Sequence, residues 1–275
     1  EGLNLDALPE RLSVAPVAPA PLDVYEEVAA HIRKSARIVI KAGGGTRKNA
    51  DEIRTLAERI GAVVVCSPNS TGVLPDDHAQ FMHVGGSKGS VSGNYAMEQA
   101  ELLIVAGARA VCQSDCSGTG YPRVRHVINI NGDLADVSHY NRTSALLGDV
   151  FAVVGRLLEV LGTVDRDESV ALNTAEWLRL CASKKSEWLA LRKERTEGAP
   201  MDDPAWGRSV LTQPSAIATV QTFADEIGAL KVFDAGDVQA NGFQINADRN
   251  PIQTITESGA SYMGFAGSAL LSAAA

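Results

Sequence analysis

Between residues 22 and 161 the chain alternates short apolar runs with helical stretches, and this alternation restricts its fold more than any other feature. RIVIK (37–41), AVVVC (62–66), ELLIVA (101–106) and RHVINI (125–130) are too short for buried helices and too continuously apolar for strands with one wet face. Such runs suit strands covered on both sides, as in a parallel sheet. Helices are expected at 22–35, where Val24, Val28 and Ile32 share a face, at 49–60, at 93–99 and at 150–161, where Asp149 stands ready as an N-cap. The pattern predicts an α/β fold with a doubly wound, mostly parallel sheet of Rossmann-like form.

Ligands of open α/β sheets sit just outside the carboxyl ends of the strands. Residues 83–109 supply the parts for such a place. A loop with Gly85, Gly86 and Gly89 precedes the 101–106 strand, which stops at Gly107-Ala108-Arg109. A loop rich in free N–H groups opposite a strand-end arginine would make a bed for a diphosphate. The plainer reading is tight turns and a solvated charge. A second glycine turn, Gly43-Gly44-Gly45, follows the first strand and opens a helix. It is neither GxGxxG nor a Walker loop, because no Gly-Lys-Ser/Thr follows. In the long stretch 67–81, Asp76, Asp77 and His78 are expected to form a solvated turn, since adjacent residues seldom complete a metal shell.

Four segments are expected. Residues 1–21 form a linker that ends in VAPVAPAP, a stiff extended spacer of the sort that joins domains. Residues 22–162 form a central, nucleotide-binding-like domain. Residues 163–210 are a helical linker, with Trp177, Leu180, Cys181, Lys184, Trp188 and Leu191 along one stripe of a helix at 170–194. That spacing favours packing over a base-stacking role for the tryptophans. Lys184, Lys185, Arg192, Lys193 and Arg195 suit the helix dipole and solvent, and 197–208 reads as a polar connection. Residues 211–275 begin a second α/β segment: a helix at 214–227 capped by Thr212, short strands at 231–233 and 253–256, a polar loop at 234–242 and an apolar helix from 266. Two short strands cannot bury a core of that size, so the segment reads as incomplete and the chain as part of a longer protein.

With 25 basic and 33 acidic residues the net charge is −8, which disfavours a nucleic-acid partner. No apolar run is long enough to span a membrane and no secretory signal is visible. Cys66, Cys112, Cys116 and Cys181 read as reduced thiols, so a cytoplasmic location is expected. His83, His126 and His139 read as structural rather than catalytic.

Residues 22–161 resemble the central domain of thiamine-diphosphate-dependent enzymes of the acetolactate synthase type. The matching pieces are RIVIKAGGG, the GVLP at 72–75, GGSKGSVSGNYAMEQAELLIVAGAR, HVINI and LGDV. Residues 211–275 resemble the start of that family's diphosphate-binding domain, in FDAGDVQ and ESGASYMGF. Within the superfamily the pattern is also similar to ring-opening hydrolases of cyclic 1,2-diketones, including the trihydroxycyclohexanedione hydrolase of inositol breakdown.

The resemblance implies thiamine diphosphate and Mg²⁺ as cofactors of the intact protein, with the catalytic glutamate and the Gly-Asp-Gly metal motif outside these 275 residues. Gly236 and Gln239 match positions near the cofactor, and Ser261 and Met263 match the backbone carbonyl and the apolar wedge beneath it. Gly44, Gly45, Gly89, Gly107, Arg109, Asn129 and Asp149 match positions that line FAD in the acetolactate synthase type, so FAD or ADP is a further candidate. Asp237 and Val238 replace a usual polar pair, Asn129 and Asn131 stand where aspartates are frequent, and Cys112 stands where a second arginine is often found. The implied function is the making or cleaving of a C–C bond next to a carbonyl in a small keto substrate, by a homo-oligomer. The alternatives are a nucleotide-binding or scaffolding module without catalysis, and one subunit of a split enzyme.

Overall fold

The computed structural model describes residues 16–116, 118–257 and 259–274; the first fifteen residues, Ser117, Ser258, Ala275 and the side chains of Cys112, Ala273 and Ala274 lie outside the described residues. The opening of the expected linker is therefore outside them. In chain order come α1 (Leu22–Lys34), β1 (Ile38–Ala42), α2 (Ala50–Ile60), β2 (Val63–Cys66), β3 (Phe81–Val84), α3 (Val91–Gln99), β4 (Leu102–Ala106), α4 (Cys112–Asp115), β5 (His126–Asn131), α5 (Leu134–Val137), β6 (Thr143–Leu147) and α6 (Val150–Leu161). The six strands form one sheet in the order β3-β2-β1-β4-β5-β6, and every neighbouring pair is parallel. The expected doubly wound parallel sheet is present.

Alternation along β1 divides the two cores. Ile38, Ile40 and Ala42 face a layer built by α1, α2 and α6. Val39 faces the opposite layer with Val65, Leu103, Val105 and Val127. β1, β2 and β4 are buried at every position, which is why their sequences, Lys41 apart, are apolar rather than alternating with period two. Two strands escaped the reading by composition. β3 carries His83 inside FMHV, and β6, TSALL, is an edge strand with an exposed Ala145.

α7 (Glu168–Glu197) is longer than the expected helix and lies across α3. Trp177 and Trp188 are 1% and 2% exposed, which makes them core rather than ligand-stacking residues. The Trp177 indole stacks near Tyr95 with ring centroids 6.2 Å apart. The polar connection is in fact a short antiparallel hairpin, β7 (Met201–Asp203) and β8 (Arg208–Val210).

The second segment contains α8 (Gln213–Glu226), β9 (Lys231–Phe233), α9 (Asp237–Ile245), β10 (Thr254–Thr256) and α10 (Phe265–Ala274). Thr212 caps α8 as expected, accepting from the Ser215 N–H. The supposed polar loop 234–242 instead enters α9, because Gly236, at φ +93°, turns the chain sharply and DVQANGFQI then continues as a helix. β9 and β10 pair in parallel as a two-stranded sheet.

A buried carboxylate organises this segment. Asp248 accepts from Thr254 Oγ1 at 3.0 Å, Asn246 Nδ2 at 2.6 Å, Lys231 Nζ at 2.9 Å and Thr71 Oγ1 at 2.7 Å. The last bond reaches into the stretch after β2. There Gly72, at φ +81°, lies so close to Asn250 that a Cβ would fall 2.1 Å from its carbonyl oxygen. The second segment is thereby seated on the loops that follow β2 and β3, with Asn69 and Lys88 as further contacts.

Candidate functional site

The sheet order reverses between β1 and β4, and the predicted nucleotide residues cluster at the carboxyl ends of these strands. Here the glycines close the crevice. Gly43 N–H donates to Ala106 O and Gly45 N–H to Gly107 O, both at 2.9 Å, so the ladder continues past the strands. A Cβ on Gly43 would meet Ala108 Cα at 2.3 Å, and one on Gly45 would meet Gly107 Cα at 2.9 Å. Gly107 also needs its freedom at φ +55°. Gly44 is different: the nearest atoms to a Cβ there belong to the Arg47 guanidinium, 4.0 Å away. Arg109 is exposed beside this turn.

The expectation of a loop rich in free N–H groups does not hold. Gly85 N–H donates to Cys66 O, Ser87 to Gln113 O, Gly89 to Gly86 O and Ser90 to Val84 O. Gly86 N–H donates to Asn94 Oδ1 at 2.8 Å, and the same amide returns a bond to Gly86 O at 3.0 Å. The loop is packed so tightly on α4 and on itself that Cβ atoms on Gly86 and Gly89 would overlap backbone at 2.1 and 2.6 Å. Asn129 turns to α5, donating to Asp136 O and Val137 O at 2.9 and 3.0 Å. Asp149 caps α6 through Phe151 and Ala152 N–H, the role its position before the helix foretold. These residues thus hold the fold, and an adenine nucleotide has only the open Gly44 turn and Arg109 to engage among them.

In the second segment the structure does bring predicted residues together. Gln239, 1% exposed, donates from Nε2 to Thr256 Oγ1 at 2.8 Å and to Glu257 O at 2.6 Å. Its Oε1 accepts from Ser261 Oγ at 3.1 Å. Glu257 braces the same turn, accepting from Gly259 N–H at 2.7 Å, from Ala260 at 3.0 Å and from Ser261. Burial works to raise the Glu257 pKa, but the N–H groups of Ala260, Gly259 and Ser261 prevail and hold it below the usual carboxylate range. Ser261, at φ +58°, is kept in a left-handed conformation by these bonds. The brace presents Met263 outward, the residue being 92% exposed. Gly236 lies at the start of α9 with nothing within 4 Å of where a Cβ would stand. Together these residues form a hydrogen-bonded polar turn that carries an exposed apolar side chain.

Three polar clusters were missed. Asp76 does not lie in a solvated turn: Arg192 grips it with two bonds of 2.9 and 2.6 Å, and His83 Nε2 stands 3.4 Å away. Lys185, expected in solvent, is buried and donates to Asp76 O and His78 O. The second cluster is that of Asp248. The third is Lys41, 1% exposed on β1, paired with Asp115, which also accepts from Tyr140 Oη at 2.6 Å. Asp115 and Tyr140 line a cavity of about 510 Å³ with Tyr121, Leu103 and Val127, where the β4–β5 crossover offers only the single turn α4 as cover. A lysine inside the otherwise apolar IVIKA was the available signal. Cys66 and Cys181 are buried free thiols, and burial pushes the Cys66 thiol up to about 12.

Residues 25–157 match the model of the thiamine pyrophosphate enzyme central domain.

That match coincides with the six-stranded sheet and ends inside α6. Beyond it, the similarity continues through the second segment. The chain is 26% identical over 266 residues to the acetolactate synthase isozyme 1 large subunit of Escherichia coli, an alignment covering 95% of this chain and 44% of that protein. It is 24% identical over 251 residues to acetolactate synthase 3 of Brassica napus chloroplasts, covering 90% of this chain and 36% of the relative. To the acetolactate synthase of Mycobacterium avium it is 29% identical over 138 residues, covering 49% and 22%. The chain thus spans less than half the length of these relatives, and it is related to the thiamine-diphosphate-dependent, acetolactate synthase-like enzymes. No helix among the described residues is long and apolar enough to cross a membrane.

Proposed function

We propose that this chain serves a thiamine-diphosphate-dependent reaction that makes or cleaves a carbon–carbon bond beside a carbonyl, as in acetolactate synthases. The observation that carries this reading is the turn at 257–263, where the Gln239–Ser261 bond and the Glu257 carboxylate fix the backbone while Met263 stands free. Thiamine diphosphate, when bound, supplies a carbon nucleophile and an electron sink for the bond being made or broken. On this proposal Gln239 and Ser261 would hold the backbone that receives the cofactor, and Met263 would offer it an apolar contact. A thioether side chain is long, apolar and adaptable enough for that contact. Magnesium, the diphosphate and the proton transfers would fall to residues other than these. Collinear similarity over 90–95% of the chain to acetolactate synthases supports the same reading. The substrate would be a small keto compound, a 2-oxo acid first and a cyclic 1,2-diketone second.

The test is turnover by the intact protein with thiamine diphosphate and Mg²⁺ on pyruvate and on a cyclic 1,2-diketone. Met263→Ala should lower kcat by about tenfold or more, a loss of roughly 1.4 kcal/mol of transition-state stabilisation, with the fold retained because the side chain is exposed. Thiamine-independent turnover, or a Met263→Ala enzyme with unchanged kcat and cofactor affinity, would refute the assignment. A second reading, a nucleotide-binding module, is favoured by the open Gly44 turn beside exposed Arg109. Calorimetry with ADP and FAD on the chain and on Arg109→Ala separates the two.

A further inference from the structure

At the opposite, amino end of the sheet, three side chains outside the reading above converge. Glu27 and His31 lie one helical turn apart on α1, so they leave the same face of the helix. His126 opens β5, and Ser144 stands on the adjacent strand β6. His31 Nε2 is 3.8 Å from Glu27 Oε1, and the imidazoles of His31 and His126 are stacked with centroids 3.8 Å apart and planes 6° from parallel. A ligating atom from each of Glu27, His31 and His126 lies within 4.8 Å of the other two.

Ser144 orients the group from behind. Its Oγ lies 3.0 Å from Glu27 Oε1 and 2.8 Å from His126 Nε2. A hydroxyl has one proton, and the ionised carboxylate can only accept, so that proton goes to Glu27. His126 must then donate from Nε2 to the serine oxygen, which leaves the lone pair of the neutral ring on Nδ1. A packing role accounts for the bonds to Ser144, which tie α1 to the β5–β6 edge. It does not account for a second imidazole laid face to face with the first beside the same carboxylate.

We propose that Glu27, His31 and His126 form a binding site for a divalent transition-metal ion, zinc by the chemistry of its donors. Two imidazoles and one carboxylate suit zinc rather than the all-oxygen shells of calcium or magnesium. Ligand atoms around tetrahedral zinc stand roughly 3.3 Å apart, given bonds of about 2.0 Å, so the three groups must draw closer. Two of them are free to do so: the side chains of Glu27 and His31 are 58% and 39% exposed. His31 leaves the stack by turning about its side-chain bonds, so that its lone pair and that of His126 aim at one point. Three protein ligands leave a fourth position to water. The ion would fasten α1 to the sheet edge, remote from the proposed cofactor turn, and the site stands or falls independently of that function.

The experiment uses the chelator-treated chain, titrated with Zn²⁺ by calorimetry and with Co²⁺ by visible absorption. The expected result is one ion per chain, with a d–d band of tetrahedral intensity. His31→Ala and His126→Ala should each weaken zinc binding by about tenfold to a hundredfold or more, the scale set by disturbing even a ligand's outer partners. His78→Ala and His139→Ala serve as controls and should bind as the parent does. His31 is half-exposed on a helix, so its variant carries the test even if His126→Ala fails to fold. Binding only at millimolar zinc, no Co²⁺ band, or equal affinity in the parent and His31→Ala would each overturn the proposal.

Discussion

Lys41 and Asp115 show how much one buried pair can demand. Lys41 interrupts a strand whose other positions are apolar, and burial drives its pKa down while Asp115 pulls it back up. Tyr140 shares the carboxylate, and burial, with Asp115 beside it, raises its phenol above the ordinary value. Removing one partner strands the other charge, so Asp115→Asn should destabilise the chain by about 3–5 kcal/mol. Lys41→Met combined with Asp115→Leu should recover most of that loss, because two apolar groups need no counter-charge. Urea midpoints of the three proteins decide it, and a double variant no more stable than Asp115→Asn would contradict the argument. The glycines at the strand ends are set by contact as well as by conformation: Gly43, Gly45 and Gly89 are needed where two backbones meet. Sequence shows that a glycine stands there but not what presses against it, which is why the same residues read equally as a phosphate cradle.

At the scale of elements, legibility followed burial. β1, β2, β4 and β5 could be read because short runs dominated by Val, Ile and Leu have few other uses, even where Lys41 or Asn129 breaks them. β3 and β6 could not, since a histidine in one and exposed edge positions in the other blur the signal. α9 was hidden by its polar start and internal glycine, and only the turn at Gly236 and the packing of Phe243 make it a helix. α7 was visible, but its attachment was not, because the partner of Arg192 lies in the loop before β3. Burial alone would raise the Asp76 pKa, yet Arg192 and then His83 depress it well below the usual carboxylate range. A depressed carboxylate stabilises the fold above its unfolded pKa of about 3.9 and loses that contribution as pH falls through the folded value. Acid should therefore loosen α7 from the sheet below about pH 4. Arg192→Ala should cost about 2–4 kcal/mol at neutral pH, between exposed and fully buried pairs. The variant's stability should also fall less on acidification. Trp177 and Trp188, on the buried face of α7, report the event by fluorescence, and parallel pH profiles for variant and parent would refute it.

Across the whole molecule, the second segment depends on the first for its seat. Asp248, Thr71 and the contact of Gly72 with Asn250 join stretches far apart in sequence. Asp248→Ala should release residues 211–274 while leaving the sheet intact. Amide exchange should quicken at β9 and β10 and remain slow at β1 and β4. Uniform quickening, or none, would show that the two parts do not separate this way. The outer faces of this segment carry Val220, Phe223, Ile227 and Leu271 at 60% exposure or more. The order of the strands carries a further consequence. Of the six strands of this sheet β1 is made first, yet it belongs in the interior. Until Leu102–Ala106 has been made, a nascent half-sheet of β1, β2 and β3 displays one flank of β1 with its hydrogen-bonding groups unmatched and its faces oily. The interval before β4 arrives is when a newborn copy is most exposed to sticking to its siblings, and slowing translation there should lower the yield of dissolved protein.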